Sequence, residues 1–128
     1  MAGVTYDTGA LIAGNRNDRR MWALHVGFIA EKVIPVVPAP VLAEAWRGGS
    51  RQASLVRMLA GCDFEAMSPD QARRVGELAG RSRLDDVVDV TVVEGAVRRG
   101  DDVVVTSNES HIRQVVDAVG GRLQVEAV

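Results

Sequence analysis

At 128 residues, 47% apolar and 25% charged, the chain has the size and make-up of one ordinary globular domain, able to build a core without disulfides or a structural metal. Its one cysteine, Cys62, excludes a disulfide framework or a cysteine-cluster metal site and fits a reducing cytosol, and a net charge of −2 argues against a general polyanion binder. The longest charge-free stretch, 33–43, holds three prolines and is far short of the ~20 residues of a membrane span; with no basic N-terminal segment to mark a signal peptide, a cytoplasmic protein without a membrane anchor is expected.

In chain order, the pattern predicts a strand over 3–7, then helices over 8–14 and 18–32. A short strand over 35–37 leads to Pro38-Ala39-Pro40, where Pro40 suits the first turn of a helix running to Trp46 and broken by Gly48-Gly49. A helix over 52–60 places Leu55, Val56 and Leu59 on one face, and 63–66 reads as a short strand. Ser68 is a good N-cap, with Pro69 behind it, for a helix to Gly80. A helix over 86–99 stops at Gly100, a buried-type strand follows over 103–106, then a helix over 109–119 and a closing edge strand over 123–125. Strands alternating with helices and no hairpin turns predict a single α/β domain, 1–128, with a mainly parallel sheet. Helices outnumber strands, so some must stack outside the sheet layer.

Against this apolar frame four acids stand out. Asp7 is the only charge before Arg16 and lies between an apolar strand and an apolar helix, where open α/β sheets place their ligands. A carboxylate left there unpaired costs several kcal/mol, so a cation should face it. Glu44 is the only charge between Val33 and Trp46, although a helix residue reaching out to solvent would look the same. Asp86 and Asp89 stand three apart on one helix face. Asp86 reads equally well as an N-cap, with Asp89 as the capping-box partner, whereas Asp89 with Val93 at i+4 lies at the margin of the core. Thr106-Ser107-Asn108 closes the strand over 103–106 at the same sheet edge as Asp7. Oxygen donors without His or Cys indicate Mg²⁺ or Mn²⁺ in preference to zinc, and such sites serve many nucleases.

The ordered set Y-D-T-G-A-L-I-A, L-A-E-A, D-V-V-D-V and V-V-V-T-S-N resembles the PIN-domain ribonucleases, and within them the VapC-type toxins of bacterial toxin–antitoxin modules. The resemblance runs from Val4 to about Val125 and is carried by the order of the motifs, since none is specific alone. It implies a PIN-like three-layer domain with a mainly parallel central sheet flanked by helices. It further implies a metal-dependent endoribonuclease with Asp7, Glu44 and Asp89 as catalytic, metal-binding acids, Asp86 as an auxiliary, and Asn108 where many members have Asp. An Asp-Val pair at 89–90 replaces the usual Asp-Ala, and Asn108 supplies an oxygen without a charge, which bears on a second metal. The implied cofactor is Mg²⁺ or Mn²⁺; the implied partners are RNA, a small cognate antitoxin and a second copy of the chain in a homodimer.

RNA backbone contacts are expected from arginines in the first half of the chain. Arg16, Arg19 and Arg20 share a face if their segment is helical, and Arg47 and Arg51 flank Gly48-Gly49 at the end of the helix bearing Glu44. His25 and His111 lack metal-ligand spacing and read as structural, although His111 lies near the expected site; Cys62 reads as an inert thiol, and Gly9 as a close-packing or turn glycine. Trp22 and Trp46 suit packing or an interface. A receiver-type phosphoacceptor would need a lysine after its last buried strand, and the sole lysine is Lys32; a haloacid-dehalogenase-type phosphatase would need Asp where Gly9 stands. Two alternatives stay open: a non-catalytic PIN scaffold that binds RNA or protein, and a housekeeping RNA-processing nuclease.

Overall fold

The computed structural model describes residues 3–128; Met1 and Ala2, part of the N-terminal stretch read for a signal segment, lie outside the described residues. Five strands, β1 (Val4–Tyr6), β2 (Val36–Pro38), β3 (Asp63–Glu65), β4 (Val103–Thr106) and β5 (Gln124–Ala127), form one sheet in the order β3-β2-β1-β4-β5. Every pairing is parallel. The helices are α1 (Thr8–Asn15), α2 (Arg19–Ala30), α3 (Ala39–Ala45), α4 (Ala53–Leu59), α5 (Pro69–Ser82), α6 (Val87–Arg99) and α7 (Glu109–Val119). None of them is long and apolar enough to cross a membrane.

The layers follow from the period of two along a strand. Tyr6 faces α2, where its hydroxyl meets His25 Nδ1 at 2.8 Å, while its neighbour Thr5 faces the other way and accepts from Arg99 of α6 at 2.7 Å. Helices therefore cover both faces, and the central strands are buried and mostly apolar, as a parallel sheet covered on both sides requires. Val4, Tyr6, Val37, Val104 and Val105 are wholly buried.

Local signals end the elements where expected. The Ser68 side chain accepts from Gln71 N at 3.0 Å to open α5, and Asp86 Oδ1 accepts from the amides of Val88 and Asp89 at 3.1 and 3.2 Å to open α6. Gly100, at φ 72°, takes the left-handed turn that closes α6. In α4 the buried face is Leu55, Met58 and Leu59; Val56, expected inside, is 50% exposed. The difference is one of helix phase, because the 3₁₀ turn over Ser50–Gln52 sets the entry to α4.

An ion-pair network ties the short edge strand β3 to α5 and α6. Glu94, only 8% exposed, accepts from Gln71 at 3.0 Å, Arg74 at 3.1 Å and Arg98 at 3.2 Å. Glu65 pairs with Arg98 and with Arg99, the latter at 2.9 Å. Burial raises the Glu65 carboxyl pKa, but Arg98 and Arg99 outweigh it and hold the group below its ordinary value.

Candidate active site

In the order β3-β2-β1-β4-β5 the connections reverse direction between β1 and β4, and the crevice outside the carboxyl ends of those two strands is where this class of sheet receives its ligand. Asp7 leaves β1 there and Thr106 ends β4, side by side because Tyr6 pairs with Val105. Asp7 is 2% exposed, and its Oδ1 accepts from Ala10 N at 2.8 Å, capping α1. Its Oδ2 accepts from the Thr106 hydroxyl, which in turn accepts from Asn108 N at 2.8 Å. Burial raises the pKa of Asp7 above the ordinary carboxylate value, opposed by the Thr106 hydroxyl and by the amides of Ala10, Gly9 and Ser107.

The remaining acids arrive from two helices. β2 runs directly into α3, which carries Glu44; its Oε1 accepts from the Thr8 hydroxyl at 2.6 Å. Asp89, in the first turn of α6, is 8% exposed. Its carboxyl is pushed up to about 6, chiefly by burial and then by the charges of Asp86, Asp7 and Glu44, with His111 pulling the other way. Mutual repulsion of this kind places all four acids in one electrostatic patch. No Arg or Lys among the described residues pairs with any of them; only His111 Nδ1 comes near, at 3.8 Å from Asp89 Oδ2. Asp86 is exposed and occupied in capping α6, so it serves both the helix and the patch.

The patch suits a hard divalent cation in charge and in donor type. Among the described residues, however, no three His, Cys, Asp or Glu side chains converge into a ready metal cage. The hydrogen bonds explain this: Asp7 is held by Thr106 and the α1 amides, Glu44 by Thr8 and Asp86 by its own helix.

Asn108 lies at the start of α7, and its side-chain amide meets His111 Nδ1 at 2.7 Å. His111, read from the sequence as structural, therefore stands at the site. The signal was its spacing: three residues after Asn108 is one helical turn, which returns it to the same face. His25 is buried against Tyr6, and the Cys62 thiol is pushed up to about 12 by burial and by Asp63; neither lies among the acids.

The arginines do not converge on the acids. α1 ends at Asn15, Asn17 takes a positive φ of 58°, and Asp18 opens α2 by accepting from Met21 N at 2.9 Å, so Arg16 is not on a common helix with Arg19 and Arg20. Arg20 is spent on Glu126, at 2.9 Å, and on Ala127 O, fastening β5. The Arg47 guanidinium folds back to Trp46 O at 2.7 Å and Ala43 O at 3.3 Å, capping α3. Arg16, Arg19 and Arg51 are exposed.

Gly9 lets β4 approach α1. A Cβ there would lie 1.7 Å from Ser107 Oγ and 2.5 Å from Ser107 Cβ. Alanine has the better helix propensity by up to about 1 kcal/mol, but although Ser107 Oγ can rotate away, its Cβ is fixed by the backbone and would still overlap. Gly9→Ala is expected to cost about 1–3 kcal/mol in urea denaturation, partly recovered in the double variant with Ser107→Gly. A Gly9→Ala protein as stable as the parent would refute the close approach.

An all-parallel sheet with helices on both faces and an acidic patch at its switch point defines a PIN-like α/β fold. A chain of the crystal structure of VapBC2 from Rickettsia felis, bound to a DNA fragment from their promoter, superimposes with a TM-score of 0.71 over 98% of each chain, at 17% sequence identity. No protein-family model matches the chain, and no curated protein matches it by sequence.

Proposed function

We propose that the chain is a Mg²⁺- or Mn²⁺-dependent endoribonuclease of the VapC type, acting in the cytoplasm as the toxin of a toxin–antitoxin pair. The observation that carries this reading is the gathering of Asp7, Glu44, Asp86 and Asp89 at the switch point with no Arg or Lys among the described residues paired to them. Asp7, Glu44 and Asp89 would hold the cation, Asp86 would add charge at the rim, and Asn108 would orient His111. A bound divalent ion supplies Lewis-acid polarisation of a phosphate and a water of lowered pKa. Thr106 and the α1 amides fix Asp7, and Thr8 fixes Glu44, so a cation would have to draw these carboxylates together against those bonds. The likeness to a chain of VapBC2 supports a cognate antitoxin as partner, and the sequence resemblance adds a homodimer as the working state.

The test is direct. Purified protein is incubated with RNA in Mg²⁺, in Mn²⁺ and in EDTA. Internal cleavage in either metal and none in EDTA is the expected result. Absence of cleavage in every divalent ion would overturn the enzyme reading in favour of a non-catalytic PIN scaffold, which the unconverged acids and the uncharged Asn108 favour.

A further inference from the structure

Beside the acidic patch an open pocket of about 500 Å³ runs along α1, lined by Gly9, Ile12, Ala13, Arg16, Asp18 and Ser107, with Val128 at its rim. It is continuous with the patch through Gly9, two residues from Asp7, and through Ser107, whose amide supports the Asp7 carboxylate. The volume is that of a small-ligand site. Its walls differ in character. Ile12, 39% exposed, and Ala13 offer an apolar shelf. Arg16 lines it too, and its guanidinium forms no ion pair or hydrogen bond among the described residues. The neighbouring Asp18 accepts from Met21 N as the cap of α2. The Ser107 hydroxyl lies over Gly9 with no protein partner among the described residues.

An apolar shelf, a free hydroxyl and a free guanidinium lining one pocket suit a nucleotide: base on the shelf, ribose or phosphate on Ser107, phosphate on Arg16. We propose that this pocket binds the nucleotide adjoining the bond to be cut, with Arg16 as the contact to its phosphate. The proposal rests on the nuclease reading for its place in the reaction, but the binding it describes stands or falls separately. Arg16 thus acts alone on the RNA, apart from Arg19 and Arg20, because only Arg16 borders the pocket.

Two measurements on the full chain test it. Fluorescence anisotropy reads the binding of a labelled oligoribonucleotide in EDTA, and cleavage kinetics in Mg²⁺ read kcat and KM on oligoribonucleotides of increasing length. Arg16→Ala should weaken binding about tenfold and flatten its salt dependence by about 0.7 in the log–log slope. KM should rise about as much with kcat within twofold on every cleavable oligonucleotide, the shortest included, because each carries the nucleotide adjoining the cut. Arg16→Lys should recover part of the loss, and Arg73→Ala, which removes an exposed charge paired to Asp70 on α5, should behave as the parent. Equal affinity and salt slope for Arg16→Ala and the parent would overturn the subsite, whether or not the parent cleaves. A parent that binds through Arg16 but cuts nothing in any divalent ion would keep the subsite and overturn the nuclease reading.

Discussion

Asp7→Asn is expected to lower metal-dependent RNA cleavage by roughly a thousandfold or more while leaving the fold intact. Asn keeps the oxygen that accepts from Ala10 N, so the cap of α1 survives. It loses the acceptor for the Thr106 hydroxyl, a cost offset by removing a charge that burial already disfavours. Circular dichroism and urea denaturation should place the variant within about 1 kcal/mol of the parent. Asp7→Ala, which removes the cap as well, should be the less stable of the two by about 1 kcal/mol. Cleavage by Asp7→Asn at the parental rate would remove Asp7 from the reaction; collapse of the fold in both variants would make it a structural residue.

Asp89→Asn should abolish cleavage too, and it should stabilise the metal-free protein in a pH-dependent way. The folded pKa of about 6 lies above the ordinary carboxylate value, so folding favours the protonated group. That contribution is complete below about pH 4 and is lost as pH rises through 6. Asn has no proton to lose. The stability gap between variant and parent should be small at pH 4 and grow in the variant's favour to the order of 2–3 kcal/mol above pH 7. Burial sets most of the shift, the charges of Asp86, Asp7 and Glu44 add to it and His111 opposes it, and a bound Mg²⁺ would outweigh these and should reverse the trend. At pH 8 the ion should stabilise the parent more than the variant. A gap that stays flat from pH 4 to 8, or equal stabilisation of both proteins by Mg²⁺, would contradict an anionic patch built to receive a cation.

The two buried acids were legible because each breaks an apolar run. Asp7 interrupts a strand–helix junction, and Asp89 precedes a valine-rich helix face. Glu44 was legible for the same reason, although it is exposed and only its bond to Thr8 directs it to the patch. Asp86 was readable as cap or site acid; it caps α6, and its charge bears on Asp89. What each arginine meets within the fold was not legible. A positive charge on a helix end looks the same whether it meets RNA, a carbonyl or a distant carboxylate. The helix break at 16–18 and the fold-back of Arg47 decided their places. Nor could the buried Glu94 be foreseen, since its partners Gln71 and Arg74 lie 23 and 20 residues away on another helix.

By itself the sequence determined the elements, their caps and the acidic positions, because these depend on contacts within about one helical turn or on the polarity of a single run. Ser68, Asp86 and Gly100 act at that range. Only the tertiary structure decided the strand order, and with it the juxtaposition of Thr106 with Asp7 across 99 residues and of Arg20 with Glu126 across 106. Those contacts are set by which strands pair and on which face each crossover passes, and no local pattern encodes that choice. The acids were written in the chain one by one; the sheet made them a patch.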